Sequence, residues 1–147
     1  MILRHFKSDD ADILQQLQYI NMPIEEIKTL ICDWNKFKFQ GKYFEMFAIV
    51  SDDKIVGTIS LYQHSSSVIS IGPEVFSPFR KQGLGKQAMR IALDIAKSKG
   101  YKIVIQQVRS DNTSSIALHK SLGFETDDCS YTNSKGNEVT LYFKALF

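Results

Sequence analysis

A turn that contains two glycines and three basic side chains holds the residues of this chain best suited to bind phosphate. Residues 80–86 read Arg-Lys-Gln-Gly-Leu-Gly-Lys and lead into an amphipathic helical pattern. The first main-chain N–H groups of a helix have no intrahelical acceptor, and the helix dipole adds positive potential at the same end. Gly83 and Gly85 keep side chains away from the backbone that a ligand would approach. The turn therefore predicts a ligand that carries phosphate.

Two familiar phosphate-binding patterns compete for this turn. A Walker loop requires Ser or Thr after its lysine and a glycine at position 80, but Gln87 follows Lys86 and position 80 is arginine. The dinucleotide fingerprint is met by Gly83, Gly85 and Ala88. It also requires an acidic residue about 20 positions further on, and residues 102–107 contain no carboxylate. Dinucleotide binding remains the weaker alternative.

A third pattern, Arg-x-x-Gly-x-Gly, is met by Arg80, Gly83 and Gly85. With Val75 and Pro78 ahead of it, this segment closely resembles the acetyl-coenzyme A signature of the GCN5-related N-acetyltransferases, the GNAT family. Residues 112–124 resemble the family's Asn-x(6)-Tyr-x(3)-Gly-Phe segment, with histidine at position 119 in place of tyrosine. The resemblance is close over residues 68–124 and looser before them.

The resemblance implies an α/β fold with a mixed sheet and the order βααβββαβαββ. Its fourth and fifth strands would be parallel and splayed, and the acyl arm of the cofactor would enter the cleft between them. The hydrophobic periodicity along this chain predicts the same order of elements. Pro73 lies inside the predicted fourth strand, and because proline cannot donate to a ladder, it predicts a bulge or break there.

The resemblance also implies the reaction, in which an amine attacks the thioester of acetyl-coenzyme A directly. The turn would bind the pyrophosphate, and residues 75–77 would pair with the amide-rich pantetheine arm. The Val75–Phe76 segment would provide an N–H for the oxyanion. Asn112 would bind the same arm, cap the helix that follows, or do both. The predicted cofactor-binding residues are Val75, Phe76, Ser77, Arg80, Lys81, Gln82, Gly83, Leu84, Gly85, Lys86, Asn112 and His119.

His119 and Glu74 are the predicted catalytic residues. Histidine can donate a proton to the departing thiolate as the family's tyrosine does, and its reference pKa of about 6.5 is far below tyrosine's of about 10. The alternative for His119 is a packed side chain that only orders the cofactor. Glu74 lies on the predicted diverging strand, where it would take a proton from the amine as general base. Glu45, His64 and Glu26 are weaker candidates for the base.

Composition narrows the remaining possibilities. The chain has 147 residues and a formal net charge of +2, so it predicts one domain over residues 1–147 and argues against nucleic-acid binding. Cys32 and Cys129 lie far apart without histidine clusters, which predicts no metal site and two free thiols in a cytoplasmic protein. The sequence has no run of about 20 apolar residues, so no membrane span is predicted.

The sequence therefore predicts an acetyl-coenzyme A-dependent N-acetyltransferase without a metal. The acceptor would be a primary amine of a small molecule or peptide, and a small amine or an amino-acid-like acceptor is favoured over a protein N-terminus or lysine. A coenzyme A-binding module without turnover, such as a sensor, is the alternative. The apolar C-terminal segment, residues 139–147, fits either a core strand or a dimer interface, so both a monomer and a homodimer are open.

Overall fold

Eight strands form one mixed sheet, and helices cover both of its faces. The computed structural model describes all residues from 1 to 147. The strands are β1 (Ile2–His5), β2 (Lys38–Phe39), β3 (Lys42–Ser51), β4 (Lys54–Gln63), β5 (Val68–Val75), β6 (Ile103–Arg109), β7 (Glu125–Thr132) and β8 (Glu138–Ala145). The helices are α1 (Ala11–Leu17), α2 (Ile24–Trp34), α3 (Leu84–Ser98) and α4 (Thr113–Ser121). The strand order is β1-β3-β4-β5-β6-β8-β7, with β2 paired to β3. The predicted fold is confirmed, and β2 is an addition to it.

Each face of the sheet has its own core because successive side chains of a strand point to opposite faces. On β3, Phe47 and Ile49 pack in the larger core beneath α3, whereas Ala48 packs in the smaller core beneath α1 and α2. The buried stripe of α3 includes Ala88, Ala92 and Ala96, one helical turn apart. These small side chains allow α3 to lie close against the sheet, which positions the turn at its N-terminus.

The only parallel pair in the sheet, β5 and β6, separates after two residue pairs. Val68 pairs with Ile103 and Ile69 with Val104, and no ladder continues beyond them. Both strands nevertheless run on, β5 to Val75 and β6 to Arg109. The predicted splay is therefore confirmed. We call the gap between residues 70–75 and residues 105–109 the opening.

The bulge predicted at Pro73 is wrong. Pro73 lies opposite Ile59 in a β4–β5 ladder without a register shift. The Phe76 N–H donates to the Val56 carbonyl at 2.8 Å. Because hydrogen-bonded pairs alternate along an antiparallel ladder, the main-chain groups of residue 73 must point away from β4, towards the opening. No ladder partner is needed there, so proline is accommodated in a regular strand.

The end of β5 lies unusually close to β4 at Gly57, which is opposite Val75. A Cβ atom at position 57 would overlap the Glu74 carbonyl oxygen. Gly57 therefore allows the last residues of β5 to lie close against β4 where β5 has left β6.

We expect Gly57→Ala to lower the free energy of unfolding by about 1–3 kcal/mol, because main-chain atoms must move to accept the methyl group. Urea unfolding of the variant and the wild type measures the change. Gly72→Ala is the matched control in the next strand, since its added methyl would meet only the movable Ser60 hydroxyl. Equal losses of unfolding free energy in the two variants would contradict the close approach of β5 to β4 at Gly57.

Candidate active site

The turn before α3 presents main-chain N–H groups that have no acceptor within the protein. Lys81 and Gly83 adopt left-handed backbone conformations, with φ of 64° and 75°. Gln87 is the first residue of this stretch whose N–H is bonded, to the Gly83 carbonyl at 3.2 Å, and no N–H from Lys81 to Lys86 donates to a protein group. Such alternating backbone conformations form a concave anion site, and the helix dipole reinforces it.

A cavity of about 560 Å³ lies between this turn, the end of β5 and the start of α4. Its lining includes Glu74, Val75, Arg80, Lys81, Gly83, Leu84, Gly85 and Asn112. Five predicted cofactor-binding residues do not line it, namely Phe76, Ser77, Gln82, Lys86 and His119. The Phe76 side chain is buried in the smaller core, and its N–H is taken by the Val56 carbonyl. The Val75 main chain, like that of residue 73, points towards the opening.

Arg80 closes over the end of β5. Its Nε donates to the Val75 carbonyl at 2.9 Å, and its Nη2 donates to the Glu74 carboxylate at 3.2 Å. The Val75 carbonyl is one of the groups predicted to pair with a ligand. A ligand amide that binds this carbonyl must share the carbonyl with the Arg80 guanidinium or displace the guanidinium towards the anion site.

Gly85 and Asn112 occupy opposite walls of this cavity. A Cβ atom at position 85 would make only an ordinary contact, 3.6 Å from Val75 Cγ2. The fold itself therefore does not require glycine there, whereas a ligand lying against the backbone would. The Asn112 Oδ1 accepts from the Ser115 N–H at 3.0 Å, so the predicted capping of α4 is confirmed.

His119 is buried between α4 and β6, with 3% of its surface exposed. Its Nδ1 donates to the Ser115 carbonyl at 2.7 Å, and its Nε2 lies 3.3 Å from Gln106 Nε2, which can only donate. Burial lowers the pKa of His119, partly offset by the bond to Ser115. These contacts hold the imidazole neutral, with its proton on Nδ1 and a lone pair on Nε2.

Gln106 is a residue at the edge of the opening that was not predicted from the sequence. Its Oε1 accepts from the Ile71 N–H at 2.9 Å, while its Nε2 donates both to the Ile71 carbonyl and to His119. The amide thus replaces the ladder bonds that Ile71 loses where the opening begins. If the amide were flipped, its oxygen would face the Ile71 carbonyl and its NH2 group would face the Ile71 N–H, so the orientation of the amide is fixed. The available signal was an amide inside the apolar run of β6, where a buried polar group needs partners.

A second cavity, also about 560 Å³, lies mainly on the face of the sheet that carries α1 and α2. We call it the groove. It shares Pro73 and Ser115 with the first cavity, so the two meet at the opening. Its polar lining includes Ser60, Tyr62, His64, Ser70, Gln107 and Lys135. Ligands that occupy the two cavities can therefore meet between the parted strands.

The four candidates for a general base lie in different places. Glu74 lines the first cavity. Tyr19, in the connection between α1 and α2, has a raised pKa because it is partly buried and because Glu74 is negatively charged. His64 lies at the other end of β5, where its Nε2 bonds the Ser70 hydroxyl at 2.7 Å. Burial and the charge of Lys42 lower the pKa of His64.

The remaining two candidates are further from the opening. Glu45 is buried beside Tyr43 and His5, and its carboxylate is 3.7 Å from the Lys99 ammonium after the end of α3. Glu26 is exposed in the first turn of α2. Neither residue lines the first cavity or the groove.

Aromatic side chains from the end of α2, β2, β3 and β4 line a separate apolar cavity of about 410 Å³. Trp34, Phe39, Phe44 and Tyr62 line it, and the Phe39 ring is 6.1 Å from each of the last two. Tyr62 also lines the groove, so it separates the two cavities.

The sequence of this chain also matches a known protein family. The sequence model of the acetyltransferase (GNAT) family matches residues 12–124. The chain belongs to the GNAT family. Its activity class is acetyl transfer from acetyl-coenzyme A to an amine.

Individual relatives of this GNAT chain are distant. It is 28% identical over 122 residues to the SPbeta prophage-derived uncharacterized N-acetyltransferase YokL of Bacillus subtilis (strain 168), covering 81% of this chain and 68% of that protein. Its fold resembles RimL, a ribosomal-protein alpha-N-acetyltransferase solved with coenzyme A, at a TM-score of 0.83 and 17% identity, covering 97% and 92% of the two chains.

The fold also resembles a spermidine N-acetyltransferase SpeG chimera from Vibrio cholerae and hSSAT, at a TM-score of 0.80 and 14% identity, covering 99% and 96% of the two chains. Relatives of such low identity share the fold and do not identify the acceptor. This chain contains no group of three or more His, Cys, Asp or Glu side chains arranged to hold a metal ion. None of its helices is both long and apolar enough to cross a membrane.

We expect Gly85→Ala to weaken acetyl-coenzyme A binding by at least about tenfold, or 1.4 kcal/mol. Its stability should stay within about 1 kcal/mol of the wild type, because alanine is the better helix former. Isothermal titration measures the dissociation constant, and thermal unfolding without ligand measures stability. Lys97→Ala, in the last turn of α3, is the control for a substitution in the same helix. Unchanged affinity in Gly85→Ala would show that no ligand approaches this backbone.

Proposed function

We propose that this GNAT enzyme transfers acetyl from acetyl-coenzyme A, bound in the first cavity, to a primary amine that approaches through the groove. The observation that carries the proposal is the meeting of two cavities at the opening, at Pro73 and Ser115. The amine nitrogen bonds to the thioester carbon, the C–S bond breaks with its electron pair on sulfur, and the amine loses a proton. This geometry suits direct attack, because each reactant has its own side of the sheet.

In this proposal, the pyrophosphate binds the N–H groups of residues 81–86 together with Arg80, Lys81 and Lys86. The unpartnered N–H groups, the left-handed residues and the lack of a side chain at Gly85 support that assignment. The pantetheine arm lies along Val75 and Asn112 in the first cavity. Phe76, Ser77 and Gln82 shape the turn that holds these groups. The Val75 N–H is the preferred oxyanion donor, because the Phe76 N–H is already bonded within the sheet.

Glu74 is the general base of the proposed reaction. It lines the cofactor cavity beside Pro73, and its side chain is about half exposed, so it can reach an ammonium group directly or through water. Its bond to Arg80 positions the carboxylate at the end of β5. His64, at the other end of the strand, and Glu45, inside a separate charged network, are less suitably placed.

Two roles were predicted for His119, and its surroundings favour the ordering of the cofactor site over proton donation. Both ring nitrogens are engaged in the neutral form, and burial lowers the pKa. A charged imidazole would place an N–H against the Gln106 N–H. His119 instead joins α4, which carries Asn112 at its start, to the strand that borders the opening.

No comparison supports the alternative of a coenzyme A-binding module without turnover. Thiol release from acetyl-coenzyme A over a panel of amines, amino acids and peptides tests the proposed function directly. Release that does not increase with any amine would favour the sensor. The proposal includes one domain over residues 1–147, acting in the cytoplasm as a monomer or homodimer. Two exposed free thiols, Cys32 and Cys129, support the reducing location.

We expect Glu74→Gln to lower kcat/KM by about 10- to 100-fold at neutral pH, as for loss of a general base. The deficit should shrink as the pH rises, because a growing share of the amine is then already free base, and only the proton lost after attack on the thioester remains to be removed, by water or hydroxide. A pH–rate profile of thiol release for both proteins measures this. Glu25→Gln, an exposed carboxylate on α2, is the control. A pH-independent deficit would show that Glu74 acts in another way.

We expect His119→Phe to weaken acetyl-coenzyme A binding about fivefold or more and to lower the melting temperature, because α4 loses its link to Gln106. The shape of the pH–rate profile should not change. Titration calorimetry and the same thiol assay measure both, with Lys120→Ala as the control on α4. Full affinity together with a turnover loss of about 10- to 1000-fold would restore His119 as the proton donor.

A further inference from the structure

The groove lacks the negative charge that a simple amine or polyamine would need. None of its lining residues is an aspartate or glutamate. Lys135 is the only Lys or Arg among them, and no carboxylate lies within 4.0 Å of its ammonium group. The groove histidines add no negative charge, and burial, aided at His64 by the charge of Lys42, lowers the pKa of both. The carboxylate-free lining therefore disfavours a second cationic group on the acceptor.

Lys135 is held over the groove by an organised turn between β7 and β8. Asn133 Oδ1 accepts from the N–H groups of Lys135 and Asn137 at 3.1 and 3.0 Å. The same side chain donates through Nδ2 to Gln107 of β6 at 3.2 Å. Asn133 thus shapes the turn and attaches it to the edge of the opening.

The turn lies across the opening from the end of β5 that carries Glu74. The Gln106 side chain is bonded to the Ile71 main chain, so the next residue of β6, Gln107, faces Gly72 across the opening. Glu74 is two residues further along, roughly 7 Å in a strand. A carboxylate at the reaction end and a lysine on the facing turn are the charges that bind an amine and an acid group of one small molecule.

We infer that the acceptor carries a carboxylate as well as its reactive amine, and that Lys135 binds that carboxylate. This inference rests on the proposed acetyl transfer and names its substrate class: an amino acid or a close analogue. The groove volume of about 560 Å³ falls in the usual range for small-ligand sites. A charge-assisted contact with Lys135 would orient the acceptor so that its amine faces the opening.

The test compares each of a panel of L-amino acids with its own amide, which keeps the amine and side chain but lacks the charge. We expect kcat/KM in the thiol-release assay to be at least about tenfold higher for the acid. Lys135→Gln should reduce that ratio towards one, and Lys135→Glu should favour the amides and spermidine. Lys54→Gln, a lysine next to another hairpin turn, is the control and should keep the wild-type ratio.

Three outcomes separate this inference from the proposed function. Equal rates for acids and amides in the wild type would overturn the inference while leaving acetyl transfer intact, as would an acid preference that survives in Lys135→Gln. If no amine is turned over, the proposed function fails. Titration of the protein–coenzyme A complex with the same acid and amide pairs still decides the inference, because it predicts tighter binding of acids that is lost in Lys135→Gln.

Discussion

The separation of two neighbouring strands is the constraint on which the rest of this structure depends. A parallel pair that stops after two residue pairs leaves main-chain N–H and C=O groups without partners, and burying such groups unpaired is costly. Two side chains bond some of these unpaired groups. The Gln106 amide bonds both main-chain groups of Ile71, and the Ser70 hydroxyl donates to the Ile105 carbonyl. These bonds satisfy the groups where the opening begins, at Ile71 and Ile105, whereas the Pro73 carbonyl and the Val75 N–H further along β5 still face the gap.

Each side of the opening has a different electrostatic character. On the α3 side, the turn at residues 80–86 concentrates N–H donors and basic side chains, which suits a diphosphate. On the opposite side, the groove is polar, carries no carboxylate and has one lysine. Glu74 lies where the two environments meet, bonded to Arg80. In the proposed reaction, this contrast assigns the anionic cofactor and the amine to separate sides and brings their reacting atoms together only at the gap.

The same constraint explains why histidine is tolerated where the family usually has tyrosine. The ring at position 119 packs edge-on against Phe124 and accepts from the amide that spans the opening. This buried network is rigid, because each polar group in it has a partner. Protonation of His119 Nε2 would place its N–H against the N–H of Gln106. In the proposed reaction, rigidity at this point would keep Asn112, at the start of α4, in place in the wall of the first cavity.

The family, the order of the main elements and the glycine turn before α3 could be predicted from the sequence. Those features depend on local signals: glycines that permit left-handed backbone, helical periodicity in α3, and a capping residue before α4. Which groups face the opening depends instead on how the strands pair. The effect of Pro73 was mispredicted because it depends on which side of β5 lacks a partner. Gln106 and Gly57 were missed, and Glu45 could not be assigned to its separate network. In each case the contact joins residues distant in sequence, and strand pairing alone determines which of them meet.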